Sequence, residues 1–267
     1  MRLPILPILA LTLAASLSPS CKDPASAHPA LGRVTWSSTR AAKNPPAREL
    51  FEEVARRAVS KMPAPATGVP LSVDVQGIYD RSDNEALAIL TGRVEGVQRG
   101  VRLEAKVVAK ATLGEEFDAR ALLESGMGDL ARALGAMSEI ATGGEEAWLR
   151  ALQSAEPDEQ ILGIRLLGRK RVKGAAERLA ALMSDPREQV AEEAAEALAR
   201  TGEPGDVPLI IESIGKGDLR SEVRAIETMG KIGGAEARAY LEMTAFGHEV
   251  PEVRRVSADA LKRMKSL

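Results

Sequence analysis

Asp185-Pro186-Arg187-Glu188-Gln189-Val190-Ala191-Glu192-Glu193-Ala194-Ala195-Glu196-Ala197-Leu198 is the stretch whose reading decides the fold. Its apolar residues return every three or four positions, which is one face of a helix, and most of that face is alanine. The pattern then repeats along the chain. Leu167, Leu198, Met229 and Leu261 stand in one column at steps of 31, 31 and 32 residues. Four positions earlier in each unit comes a small residue, Gly163, Ala194, Ala225 or Ser257, followed by Ile164, Ala195, Ile226 or Ala258. Between these helices a second set repeats, with Leu179, Ile210 and Leu241 at steps of 31 and Met183, Ile214 and Ala245 likewise. Each unit therefore holds two helices. A helix pair this short cannot bury its apolar stripe alone, so stacked neighbours must supply the core, and the small column lets helices approach closely.

The quoted stretch resembles the HEAT-repeat signature, with its Asp-Pro start and its Val, Ala-Ala and Ala-Leu spacing. Pro251-Glu252-Val253-Arg254-Arg255-Val256-Ser257-Ala258-Asp259-Ala260-Leu261 resembles it nearly as well, whereas Glu159 and Ser221 replace the valine in the other two units. The repeats are also similar to the short HEAT-like repeats of phycobilisome lyases, a repeat that carries no chemistry by itself. The resemblance implies an all-α HEAT-like solenoid over 145–267, with the helix from Glu145 to Ala155 as its cap, and a scaffold for protein–protein interaction. In HEAT-like arrays the second helix of each unit lines the concave side. That implies Arg178, Glu212, Tyr240 and Met243 as candidate partner-binding residues, Tyr240 foremost because aromatics are enriched at binding hot spots.

Upstream, residues 47–142 read as a small α+β domain. Leu50, Phe51, Val54, Ala58 and Val59 share a helical face that Pro63 and Pro65 end. The period then becomes two: Leu71, Val73 and Val75 alternate with polar residues, a second strand runs from Leu87 to Val97, and a third through Val101, Leu103, Ala105, Val107 and Ala109. A helix follows from Phe117 through Leu122, Leu123, Met127, Leu130 and Leu134 to Met137. The expected fold class is thus α+β (helix, three antiparallel strands, helix) followed by the all-α solenoid. Both helices are expected on the apolar face of the sheet. Residues 21–46, with Pro24, Pro29, Pro45 and Pro46, read as a flexible tether, in which Val34 and Trp36 alternate without being assigned a strand.

Residues 1–20 read as a signal peptide, because Arg2 precedes an apolar run from Leu3 to Leu17 that is too short to cross a bilayer comfortably. The only cysteine, Cys21, follows it directly, and the junction resembles a bacterial lipobox, with Leu17 four residues before the cysteine and Pro19 between them. This resemblance implies lipidation at Cys21 and a membrane-anchored protein of the bacterial cell envelope. Cleavage after Ala25-Ser26-Ala27, giving a secreted or periplasmic soluble protein, is the alternative.

Composition narrows the function. One cysteine and two histidines in 267 residues exclude thiol-rich zinc sites and disulfide frameworks. Aromatics at 3% leave a core of small and aliphatic side chains. The net charge is −2 overall, and residues 145–267 carry 19 Lys plus Arg against 22 Asp plus Glu, so no nucleic-acid partner is expected. His28 and His248 lack a neighbouring ligand residue, and the acidic run from Asp80 to Glu85 lacks the spacing and turn glycine of an EF-hand. No metal, cofactor or catalytic residue is expected. An enzyme or lyase subunit with a site between the two domains is the alternative to a non-enzymatic scaffold, and a purely structural envelope lipoprotein is a third reading.

Overall fold

The computed structural model describes residues 28–39, 42, 44–65, 71–82, 84–95, 97, 101, 103–113, 117–214 and 218–264. Cys21 and the apolar run before it lie outside the described residues. Among the described residues, β1 (Ala30–Ser38) is followed by α1 (Arg48–Val59), β2 (Ser72–Arg81), β3 (Glu85–Glu95) and β4 (Leu103–Thr112). The sheet is four-stranded in the order β1-β2-β3-β4, with β1 parallel to β2 and the remaining pairs antiparallel.

This corrects the expected helix, three antiparallel strands and helix: the sheet is mixed, and a fourth strand, drawn from the stretch 21–46 read as a tether, precedes α1. The reason the sequence hides β1 lies in its register. Leu31 faces Val73 and Val34 faces Val75, so three residues on β1 span two on β2. Such a bulge breaks the two-residue period by which a strand is recognised. The backbone N–H of Arg33, in the bulge, donates to Asp74 Oδ1 at 2.6 Å. Trp36 anchors the strand: its ring stacks on Phe51 of α1 with centroids 4.3 Å apart, and its Nε1 donates to the Pro46 carbonyl at 3.0 Å. Gly77 on β2 makes this stack possible, since a Cβ there would stand 2.6 Å from both rings.

Val73, Val75 and Tyr79 of β2, Ala86, Ala88, Leu90 and Val94 of β3, and Leu103 and Ala105 of β4 are buried. α2 (Ala119–Thr142) covers β3 and β4 and also packs on α1. Asp118 caps its N-terminus by accepting from the Arg120 amide at 2.8 Å.

Ten helices occur among the described residues, and those after α2 form the repeat region. α3 (Gly144–Ala151) and α4 (Pro157–Leu167) are followed by α5 (Ala175–Leu182), α6 (Glu188–Thr201), α7 (Val207–Ile214), α8 (Leu219–Ile232), α9 (Ala235–Gly247) and α10 (Pro251–Met264). A 3-10 turn, Pro204–Asp206, precedes α7. The small column is buried throughout, at Gly163, Ala194, Ala225 and Ser257. A Cβ on Gly163 would lie 2.7 Å from the Ala151 Cβ, which is the close helix approach the column allows. Leu167, Leu198 and Met229 are buried, whereas Leu261, in the fourth unit, is half-buried. Since α2 also packs on α3 and α4, the sheet module and the array share one continuous hydrophobic core.

Candidate functional site

The long helices of successive units stack side by side, α4 on α6 on α8 on α10. Between α6 and α8 they leave a groove of about 730 Å³. Its floor holds Ala195, Val223 and Leu219, the last 43% exposed. Along its walls run the carboxylates of Glu188, Glu192, Glu196, Glu227 and Glu252 and the cations of Arg220, Arg224 and Lys231. These charges are not equally free. Arg224 donates to Glu188 Oε1 at 2.9 Å and to the Met183 carbonyl at 2.7 Å, and Arg220 reaches Glu188 Oε2 at 3.3 Å. Glu196 pairs with Arg200 at 3.0 Å. Glu192 and Glu227 have no hydrogen-bond or ion-pair partner among the described residues. Lys231 has none either, so the groove offers apolar surface flanked by two unpaired carboxylates and one unpaired ammonium group.

The turns that position these helices are held by charged hydrogen bonds. Arg171 donates to Asp206 Oδ2 at 2.6 Å and to the Thr201 carbonyl at 3.1 Å, joining the turn after α4 to the one after α6. The Arg171 guanidinium holds the Asp206 carboxyl below its usual range, helped by the Glu203 amide. Asp185 is likewise held low by Arg187, which also donates to Gln160 Oε1 at 2.6 Å. The amide of that buried Gln160 donates to the Leu152 carbonyl at 2.7 Å, linking α4 to the end of α3.

None of the four residues inferred from the second helices lines the α6–α8 groove. Arg178 on α5 is exposed but donates to the Leu149 carbonyl at 3.0 Å, where it ties α5 to α3. Glu212 on α7 borders a smaller depression of about 200 Å³ against α5. Tyr240 and Met243 share α9, Tyr240 half-buried and Met243 exposed. Burial and the neighbouring Glu222 raise the Tyr240 phenol above its usual pKa.

His248, in the turn between α9 and α10, is tied to its neighbours. Its Nδ1 accepts from the Val250 amide at 3.1 Å, which assigns the ring proton to Nε2, 3.0 Å from Glu222 Oε1. It fastens α8 to the turn before α10. His28 Nδ1 lies 3.5 Å from the Met62 carbonyl. The turn between β2 and β3 is closed by the Ser82 amide donating to the Glu85 carbonyl at 2.9 Å, and Asp80 accepts from Thr39 of the β1 end. Among the described residues, no group of three or more His, Cys, Asp or Glu is placed to hold a metal ion, and no helix is long and apolar enough to cross a membrane.

A cleft of about 420 Å³ lies where β4 and α2 meet α4, lined in part by Glu104, Asp158 and Arg165. Glu104 is engaged with Arg93 at 2.9 Å, and Arg165 with Glu193 of α6 at 2.9 Å.

The fold and the column packing agree with one comparison. A family model for HEAT repeats matches residues 145–225. The match runs from α3 into α8, so both helices walling the groove fall at least partly within the HEAT-like segment. α9 and α10 lie beyond the match and continue the same packing. No curated protein gave a match to the chain.

The groove residues lie on the first helix of each HEAT-like unit, whereas the resemblance implies candidates on the second. The 31-residue step carries the signal: Glu196 and Glu227, Glu192 and Val223, and Glu188 and Leu219 occupy equivalent positions in successive units, and all six line the groove.

Proposed function

We propose that this chain is an exported, lipid-anchored adaptor of the bacterial cell envelope whose HEAT-like array holds a partner protein in the α6–α8 groove. The observation that carries the reading is the groove itself, in which the apolar side chains of Ala195, Leu219 and Val223 lie between the unpaired carboxylates of Glu192 and Glu227, with Lys231 the one unpaired cation among its described residues. HEAT repeats generally act as protein-interaction scaffolds, and the match over 145–225 supports that role for this region. The preferred partner segment is basic and partly apolar, because its cations neutralise Glu192 and Glu227 while its apolar side chains cover Leu219 and Val223. The chain performs no chemistry of its own in this reading. Export and anchoring rest on the sequence alone, on the apolar run Leu3 to Leu17 and the cysteine that follows it.

A photo-crosslinking residue at Val223 tests the adaptor role in the native host. The expected result is one captured protein, lost when Glu192→Lys and Glu227→Lys are combined and retained when Glu236→Lys reverses an exposed charge on α9. Capture that ignores the groove charges places the partner elsewhere. In the same strain Cys21→Ala is expected to abolish fatty-acid labelling and release the protein from the membrane fraction. A wild-type chain found soluble and beginning at His28 refutes the anchor.

A further inference from the structure

Strand β4 is an edge of the sheet, and its even-numbered residues are free in both side chain and backbone. On the sheet face away from α1 and α2, Ile78, Ile89 and Val108 stand in register across β2, β3 and β4, while their neighbours Tyr79, Ala88 and Leu90 are buried on the helix-covered side. The apolar row ends at Val108, which is 46% exposed. On either side of Val108 along that face stand Lys106 and Lys110, both exposed and without a hydrogen-bond or ion-pair partner among the described residues. The carboxylates nearby leave them uncompensated: Glu104 is held by Arg93, and Glu85 stands opposite Thr112.

The backbone follows from two hydrogen bonds at the strand ends. The Ser82 amide donates to the Glu85 carbonyl, and the Leu113 amide to the Asn84 carbonyl. Antiparallel pairs bond at alternate positions, so odd-numbered residues of β3 bond to β2, even-numbered ones bond to β4, and odd-numbered residues of β4 bond back to β3. Lys106, Val108 and Lys110 therefore direct their N–H and C=O groups out of the sheet. Among the described residues none of these groups has a partner. A bare edge of this kind is a template for another strand.

We propose that the β4 edge takes up an extended segment of another protein, added antiparallel, with an apolar residue opposite Val108 and carboxylates opposite Lys106 and Lys110. The pairing geometry dictates that alternation. Each outward-bonding residue exchanges both backbone bonds with the residue directly opposite, whose side chain then lies on the same sheet face. The partner's alternate residues thus meet Lys106, Val108 and Lys110, extending the apolar row and neutralising both cations. A second copy of the chain does not fit. Antiparallel pairing of β4 with β4 about Val108 sets Lys106 of each copy opposite Lys110 of the other, and like charges directly opposed are repulsive. The two lysines thereby reject an identical edge and accept an acidic one. The inference is independent of the α6–α8 groove, which lies in the array and prefers a basic segment.

The probe is a short threonine peptide with blocked ends and a fluorescent label, in which one valine is flanked at alternate positions by glutamates. Its anisotropy is followed as the full chain in mild detergent is added, up to about 1 mM. The wild type is expected to bind it, with Lys106→Glu and Lys110→Glu each weakening binding about tenfold. Combining the two substitutions should reverse the preference toward a peptide carrying lysines in place of the glutamates. Methylating the backbone nitrogens of the valine and both glutamates should abolish binding, since it removes the donors that face β4 and leaves the charges intact. Val108→Pro should do the same from the protein side at little cost to melting, because the N–H it deletes points away from β3. No binding by the wild type overturns the proposal, as does binding that survives N-methylation or ignores the lysine reversals.

Discussion

The sheet module and the repeat array share the helix α2 yet are held together in opposite ways. In the array every stabilising contact joins near neighbours: Gly163 against Ala151, Arg165 against Glu193, Arg224 against Glu188. Each is one unit away or less, and the next unit offers an equivalent environment. In the sheet the decisive contacts occur once and span long stretches of chain. Trp36 reaches Phe51 and Tyr79, β1 lies beside β2 across the whole of α1, and the face of β3 and β4 waits for α2. The difference teaches that a substitution in the array should be felt as a local weakening, whereas one in the sheet removes a contact with no substitute.

The largest expected effect tests that contrast at its sharpest point. Phe51 is fully buried and stacked on Trp36, so Phe51→Ala should cost about 3–5 kcal/mol. The two tryptophans make separate probes, since Trp36 belongs to β1 and Trp148 to α3. In chains keeping one tryptophan each, Phe51→Ala should lower the denaturant midpoint seen by Trp36 much more than that seen by Trp148. Equal shifts would mean that α2 welds both regions into one cooperative unit, and the contrast would fail.

Ala194→Leu probes the other side of the comparison. Ala194 is fully buried in the small column, and the added methyl groups must push α6 from its neighbours at a cost of about 1–3 kcal/mol. Here Trp148 should report the loss and Trp36 should barely respond. An unchanged midpoint would remove the close helix approach from the account of the array.

The smallest effect concerns acid. Asp206 and Asp185 both titrate below the ordinary carboxylate range in the folded chain, because Arg171 and Arg187 donate to them. A lowered folded pKa stabilises the fold at neutral pH, and that contribution is lost as pH falls through the usual Asp range and below it. The array should therefore melt at lower temperature at pH 3 than at pH 6, and Asp206→Asn should flatten this dependence while lowering stability at pH 6. A slope identical to that of the wild type would show that the Arg171 contact contributes nothing.

These same contrasts explain what could be read from the sequence. Leu167, Leu198 and Met229 announced themselves by recurrence, and the buried Gly163, Ala194, Ala225 and Ser257 could be named because each confirmed the others. β1 had no such support: its bulge shifts Leu31 out of phase with Val34 and Trp36, and as an edge strand it buries only part of each. α2 was legible from its heptad-like apolar residues, but its double duty toward the sheet and α4 is a tertiary fact. The groove was hidden for another reason. Glu192 and Glu227 look like ordinary solvated helix residues until α6 and α8 are set side by side, and only then do they border a common hollow.

The parallel pairing of β1 with β2 also has a consequence in time. The chain is made from its N-terminus, so β1 is complete at Ser38 while its partner strand β2 does not begin until Ser72 and the helix that covers the sheet does not end until Thr142. At ordinary synthesis rates that interval is on the order of ten seconds. Throughout it the first strand exists without its ladder and the sheet without its lid, and both present what holdase chaperones recognise. The array behind has no such delay, because each helix meets its neighbour almost as soon as it is made. The sheet core is therefore complete only when α2 closes on it, and α2 is also the surface on which α3 and α4 pack.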